Sequence, residues 1–507
     1  MAVFAVAADA QSVQHLSRPI TGGMPGVPVM TGVNKTPTNV VVTWDGPSGY
    51  YQLFMRTNLA GVWQALGGRT NTVRRAAVNP AHNQAFFRVS GPAPRYAGAQ
   101  ACAECHRGVV TQAQATEHAA AFTSPAFAAS GGQNNPSCLP CHTVGYGLPS
   151  GYVSTAGTPH LAGVQCENCH GPAALHAANS DDPISKPRVE IAGALCGGCH
   201  NDAHHPTYDE WVGSGHATVT EDMNPTSRIS NCGRCHSGSV RLAMLKGDSL
   251  PSGDANHGVG CVTCHDPHKV TGNPAQLRNP VASTNDYFLA SSDVFSTKYD
   301  PAVNVCGQCH NHRGTKWTDS ERPPHHSPQY NMMLGTVGAA FEGDLPPRSR
   351  YSHADLLEDQ CVSCHMQSKP FAGSVPAKTG HNFRVTSYDK CLECHAYPEI
   401  LVEAVQEEYS WLIDYVKSGL DEWARNYAPE GLKKYGAKAW EYTRAGTLSG
   451  GSGPTATDQA LVPDAIKKAR FNLYLAYYDG SLGVHNPTHT AQLLDAAEEL
   501  IRSEMNK

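Results

Sequence analysis

The sequence predicts a mainly α-helical and irregular fold, with a small β-sandwich-like module ahead of it and a helical region behind it. Three observations predict this. A five-residue motif containing every cysteine recurs across the middle of the chain. The chain carries 48 Gly and 35 Pro against only 16% charged residues, a composition of turns and loops. The helical hydrophobic period appears only after the last motif.

The motif is Cys-x-x-Cys-His, and all 18 cysteines lie in nine copies of it. They are Cys102 and Cys105 with His106, Cys138 and Cys141 with His142, and Cys166 and Cys169 with His170. Next come Cys196 and Cys199 with His200, Cys232 and Cys235 with His236, and Cys261 and Cys264 with His265. The last three are Cys306 and Cys309 with His310, Cys361 and Cys364 with His365, and Cys391 and Cys394 with His395. This spacing is the c-type haem attachment signal: two thiols bond the haem edge, and the adjacent imidazole binds the iron. Zinc ribbons also use paired cysteines, but they do not require a histidine directly after each pair. Nine covalent haem c groups are therefore expected. About 33 residues per motif are too few for an ordinary core around each one, so haem must pack against haem.

Residues 1–10 are small and apolar, with A-x-A sites ending at Ala7 and Ala10. Residues 1–12 read as the remnant of a signal peptide, although no basic start precedes them. Residues 28–95 hold no cysteine. Short β-prone runs at 40–44, 50–55, 62–66, 72–76 and 85–89, separated by turn residues, predict the β module. His15, ahead of this module, and His82 within it read as surface residues. Residues 98–396 form the nonahaem domain. From 397 to 507, apolar residues such as Leu401, Val405, Leu412, Tyr415 and Val416 recur at helical spacing and predict a bundle that caps the haems. The bundle is also expected to supply a distal ligand. No stretch is long and apolar enough to span a membrane. The formal charge of −6 argues against nucleic acid and acidic membrane as partners.

With nine motif histidines as proximal ligands, 17 of the 26 histidines remain for nine distal positions. The supply permits bis-imidazole ligation throughout, which suits electron transfer and leaves no open iron. Local context selects His118, His176, His216, His268, His326 (beside His325), His353, His381 and His485. His160, His204, His205 and His257 are further possibilities, with His312 and His489 behind them. His485 stands out because it lies on a corner between two predicted helices, where Pro487 begins the second.

The runs GVQCENCHGPAALH, CVTCHDPH, W-x-x-S-G-H-A and CVSCHM…GHNF resemble a multihaem c-type cytochrome superfamily. It contains the tetrahaem acceptors of hydroxylamine oxidoreductase, the octahaem hydroxylamine oxidoreductases and the pentahaem nitrite reductases. The tail ARFNLYLAYYDGSLGVHNP is similar as well, and the likeness covers about residues 98–507. The resemblance implies a multihaem cytochrome c fold with haems stacked in parallel and T-shaped pairs. In the nitrite reductases a lysine replaces the motif histidine at the catalytic haem; all nine motifs here end in His.

The expected function is electron transfer in the periplasm or at the cell surface, along bis-His haems. Expected partners are other redox proteins, extracellular acceptors, or copies of the chain in a filament. The alternative is an oxidoreductase acting on nitrite, hydroxylamine or tetrathionate at one open haem.

Overall fold

The computed structural model describes residues 4–7, 29–35, 39–46, 51–58, 62–70, 75–78, 84–91, 93–183, 185–189, 191–223, 228–250, 257–278, 305–342, 352–357, 359–444 and 446–507. Its contacts divide into two units. The first is Met1–Arg278 with Ser368–Asn382; the second is Asn279–Gln367 with Phe383–Lys507. His15 and His82 lie outside the described residues.

The first unit opens with seven strands: β1 Phe4–Ala7, β2 Val29–Lys35, β3 Val40–Asp45, β4 Tyr51–Arg56, β5 Gln64–Thr70, β6 Arg75–Val78 and β7 Gln84–Ser90. They form two antiparallel sheets, ordered β1-β7-β4-β5 and β2-β3-β6. Val40, Val42 and Trp44 alternate inward from β3 and meet Tyr51, Leu53 and Phe87 from the other sheet. β2 is missing from the sequence-based strands for a local reason. Its register shifts between Met30 and Gly32, and such a bulge breaks the alternation that marks a strand.

Beyond the sheets the first unit is short helices and loops. Helix α1, Ala99–Gln114, carries the first motif and departs from helical geometry at His106. The apolar cluster around the second motif is small: Phe122, Leu139, Val144, Tyr152 and Leu161.

The second unit ends in three long helices, α2 Pro398–Asn426, α3 Asp464–Asp479 and α4 Pro487–Met505. Pro398 and Pro487 occupy first-turn positions, where the missing N–H costs nothing. Along α2, Tyr409, Ile413, Val416, Leu420 and Trp423 are buried at steps of three and four. They pack with Leu473, Tyr474, Leu494, Ala497 and Ile501. Each such aliphatic side chain contributes about 1.5–3 kcal/mol by leaving water. Gly480 ends α3 at φ 72, a left-handed conformation that glycine adopts without strain. The turn that follows carries His485. No helix among the described residues is long and apolar enough to cross a membrane.

Candidate haem sites

A porphyrin supplies four nitrogens in a plane and leaves two axial positions. An imidazole nitrogen binds a metal at about 2 Å, so two rings on opposite faces of one iron have centroids about 6 Å apart. Among the described residues six histidine ring pairs have this spacing; one of them, His200 with His205, shares His200 with another, which leaves five that share no ring. In the first unit, His118 and His200 lie 6.1 Å apart, His170 and His268 6.0 Å, and His265 and His381 6.2 Å. In the second, His353 and His395 lie 6.2 Å apart, and His365 and His485 6.1 Å. Each pair joins one motif histidine to one outside the motifs. Among the described residues, no group of three or more His, Cys, Asp or Glu converges as a zinc site would require.

The tautomers fit the same group. His170 Nδ1 donates to Arg188 O at 2.9 Å, and His265 Nδ1 to Ala275 O at 2.7 Å. His353 Nδ1 donates to Val484 O and His365 Nδ1 to Phe383 O, both at 3.0 Å. His381 Nδ1 donates to Thr379 O at 3.1 Å. A carbonyl only accepts, so the proton sits on Nδ1 and the lone pair on Nε2, the form that binds a metal. Burial holds His118, His265, His268, His353, His365 and His381 below the ordinary histidine pKa, and pushes His200 down to about 4. All seven are thereby kept neutral near pH 7. His485 behaves differently. Burial acts downward, but the Asp479 carboxylate at 2.7 Å outweighs it and raises the pKa.

The remaining histidines divide by what their rings meet. His205 lies 6.0 Å from His200, so two non-motif imidazoles converge on that motif histidine. His204 packs on Phe371 at 4.1 Å. His142 donates Nδ1 to Ala121 O and stacks on Phe127 at 4.0 Å. His326 stacks on His325 at 4.3 Å and reaches Tyr478 at 6.4 Å. Among the described residues, the buried His176 Nδ1 has no hydrogen-bond partner. His489 gives Nε2 to Val337 O at 2.8 Å, which occupies the nitrogen a metal would need. His216 and His257 flank a backbone crossing, where the His216 carbonyl accepts from Val259 N and the His257 carbonyl from Gly238 N. His160 and His106 are exposed, and His312 is buried.

Two carboxylates that sequence reasoning passed over hold these segments in place. Glu210 accepts from Thr379 N at 3.1 Å, Thr379 Oγ1 at 2.8 Å and His381 N at 2.8 Å. It fixes the loop that presents His381. Glu167, buried inside the third motif, accepts from Gly98 N and Ala173 N, both at 2.7 Å. It ties the start of α1 to that motif. Neither role has a local signature, because both partners are far away in the chain.

Motif cysteines also come close across motifs. Cys102 lies near Cys166, Cys141 near Cys199, and Cys196 near Cys261. Each of these cysteines would carry one haem edge, so this nearness would bring haem edges together. Of the 18 cysteines only Cys105 and Cys394, in the first and last motifs, are exposed.

The model of a family described as cytochrome c554 and c-prime matches residues 101–171, the first three motifs. The chain is 28% identical over 155 residues to the multiheme cytochrome MtrA of Shewanella baltica, covering 26% of this chain and 45% of that one. It is 31% identical over 90 residues to cytochrome c-554 of Nitrosomonas europaea, covering 15% of this chain and 38% of that one. The chain thus spans less than half the length of either relative. Among solved structures, the outer cell wall cytochrome OcwA superposes with a TM-score of 0.54 at 20% identity. That likeness covers 80% of this chain and 99% of OcwA, and shows a shared fold. Family match, relatives, fold and attachment motifs agree: the chain is a multihaem c-type cytochrome that binds haem c covalently.

Proposed function

We propose that the chain carries nine haems and conducts electrons between redox partners in the periplasm or at the cell surface. The five imidazole pairs at about 6 Å carry this reading, because each would close both axial positions of one iron. Haem supplies a reversible one-electron carrier when bound. The chain's own residues do the rest. Nδ1 hydrogen bonds fix the rings and tautomers of His170, His265, His353, His365, His381 and His485, and burial favours the unprotonated form of His118, His200, His265, His268, His353, His365 and His381. The nearness of cysteines from different motifs would set neighbouring haem edges close to one another, in a stacked arrangement. The exposed Cys105 and Cys394 make the first and last haems the points of entry and exit. In this reading residues 28–95 are a spacing or interaction module, 98–396 the haem domain, and 397–507 a cap that donates His485. The partners are redox proteins, an extracellular acceptor, or further copies of the chain.

A second reading has one observation in its favour. Among the described residues His106 is exposed and faces no imidazole. A haem held there with an open axial position would bind nitrite or hydroxylamine. Spin-state quantification of the oxidised protein, with and without cyanide or nitric oxide, separates the two. Low-spin iron throughout, unmoved by either ligand, supports conduction. A stoichiometric high-spin haem with turnover of a nitrogen or sulfur substrate supports the enzyme.

A further inference from the structure

One axial imidazole has a second partner unlike the others. Five paired histidines give Nδ1 to neutral backbone carbonyls. His485 gives Nδ1 to a carboxylate, Asp479 Oδ1, at 2.7 Å. Asp479 is the last residue of α3, and its side chain is only 1% exposed. Among the described residues its sole ion-pair partner is His485. Its other oxygen, Oδ2, accepts from the Ser481 hydroxyl, which in turn accepts from His485 N at 3.1 Å. The turn after Gly480 thus builds a closed hydrogen-bonded ring around one histidine. The site is unfavourable for an anion, since a helix C-terminus carries negative partial charge. A carboxylate kept there has been placed against its local electrostatics.

A buried carboxylate on Nδ1 draws the ring proton toward itself and makes the opposite nitrogen a stronger donor to a metal. A stronger donor stabilises ferric over ferrous iron and lowers the potential. A carbonyl does the same far more weakly, because it carries no net charge.

We propose that Asp479 is a positioning residue that tunes one haem, the one held by Cys361, Cys364 and His365, to a lower potential than the other paired haems. The assignment rests on the reading that His365 and His485 share one iron. It makes that haem the oxidising-favoured step of the second unit. Electrons crossing it must climb, so it limits the rate of flow through that unit.

The test is a spectroelectrochemical titration of the haem-loaded protein in three variants. His485→Met identifies which midpoint belongs to this haem. In Asp479→Asn, which keeps the shape and an oxygen acceptor but removes the charge, that midpoint rises and the others stay. In Ser481→Ala, Asp479 loses a competing donor, and the same midpoint falls. Asp479→Glu restores the wild-type order. The paramagnetic resonance signature of the same low-spin haem shifts with the midpoint. An unmoved midpoint in Asp479→Asn, beside a changed one in His485→Met, overturns the tuning and leaves a carboxylate that only orients the ring. An unchanged titration in His485→Met overturns the ligation beneath it. If Asp479→Asn loses haem, Ser481→Ala still decides the matter through the sign of its shift.

Discussion

The imidazoles of His265 and His381 face each other with centroids 6.2 Å apart, and each ring is anchored through Nδ1 to a carbonyl. His265 belongs to the sixth motif, while His381 arrives on the segment Ser368–Asn382, which rejoins the first unit from far along the chain. Glu210 holds that segment by three hydrogen bonds. Replacing Glu210→Ala removes a charged acceptor and should cost about 1.5–3 kcal/mol of stability. It should also loosen His381 enough to add a high-spin fraction from one haem. His381→Ala should convert that haem to high spin while all attachment sites remain filled. Thermal unfolding and low-temperature paramagnetic resonance check the two effects separately.

Intact mass under denaturing conditions should show nine haem additions, since every cysteine belongs to an attachment motif. Replacing both cysteines of one motif should remove one addition and no more. Pyridine haemochrome absorbance gives the count independently.

Removal of the β-sheets should leave haem loading unchanged, provided the cut is made early enough. Ala97 N and Gly98 N bond Glu167, Tyr96 N bonds Ser150 Oγ, and Ala174 N bonds Arg95 O. A truncation beginning at Gly91 keeps all of these and should load a full set. One beginning at Gly98 loses three and should be less stable by about 1–3 kcal/mol. Haem count and melting temperature of the two truncations check this.

Acid should destabilise the protein early. Burial lowers the folded-state pKa of His118, His265, His268, His353, His365 and His381, and takes His200 to about 4. An unfolded histidine titrates near 6.5. The unfolded chain therefore binds more protons as pH falls below about 6.5, and stability drops until the folded groups titrate too. Denaturant midpoints measured from pH 7.5 to 4.5 should fall steadily, and iron ligation steepens the fall because a protonated imidazole cannot bind iron.

The attachment motifs were legible because their chemistry is written in five adjacent residues. The sequence marked several histidines outside the motifs, but not which motif histidine each would face. His268 shows why. It stands three residues past His265, yet its ring faces that of His170 at 6.0 Å. His485 was legible from its corner between helices, whereas Asp479 was hidden in what reads as an ordinary helix end. The β2 strand escaped notice because its bulge disrupts the two-residue period. Glu167 and Glu210 escaped because their work is done on backbone amides remote in sequence.

Locating the irons in the haem-loaded protein, by anomalous scattering or by a density map, tests the account most directly. Five irons should lie midway between His118 and His200, His170 and His268, His265 and His381, His353 and His395, and His365 and His485. Irons displaced from those midpoints, or any of these pairs found empty beside a fully attached haem, would contradict it.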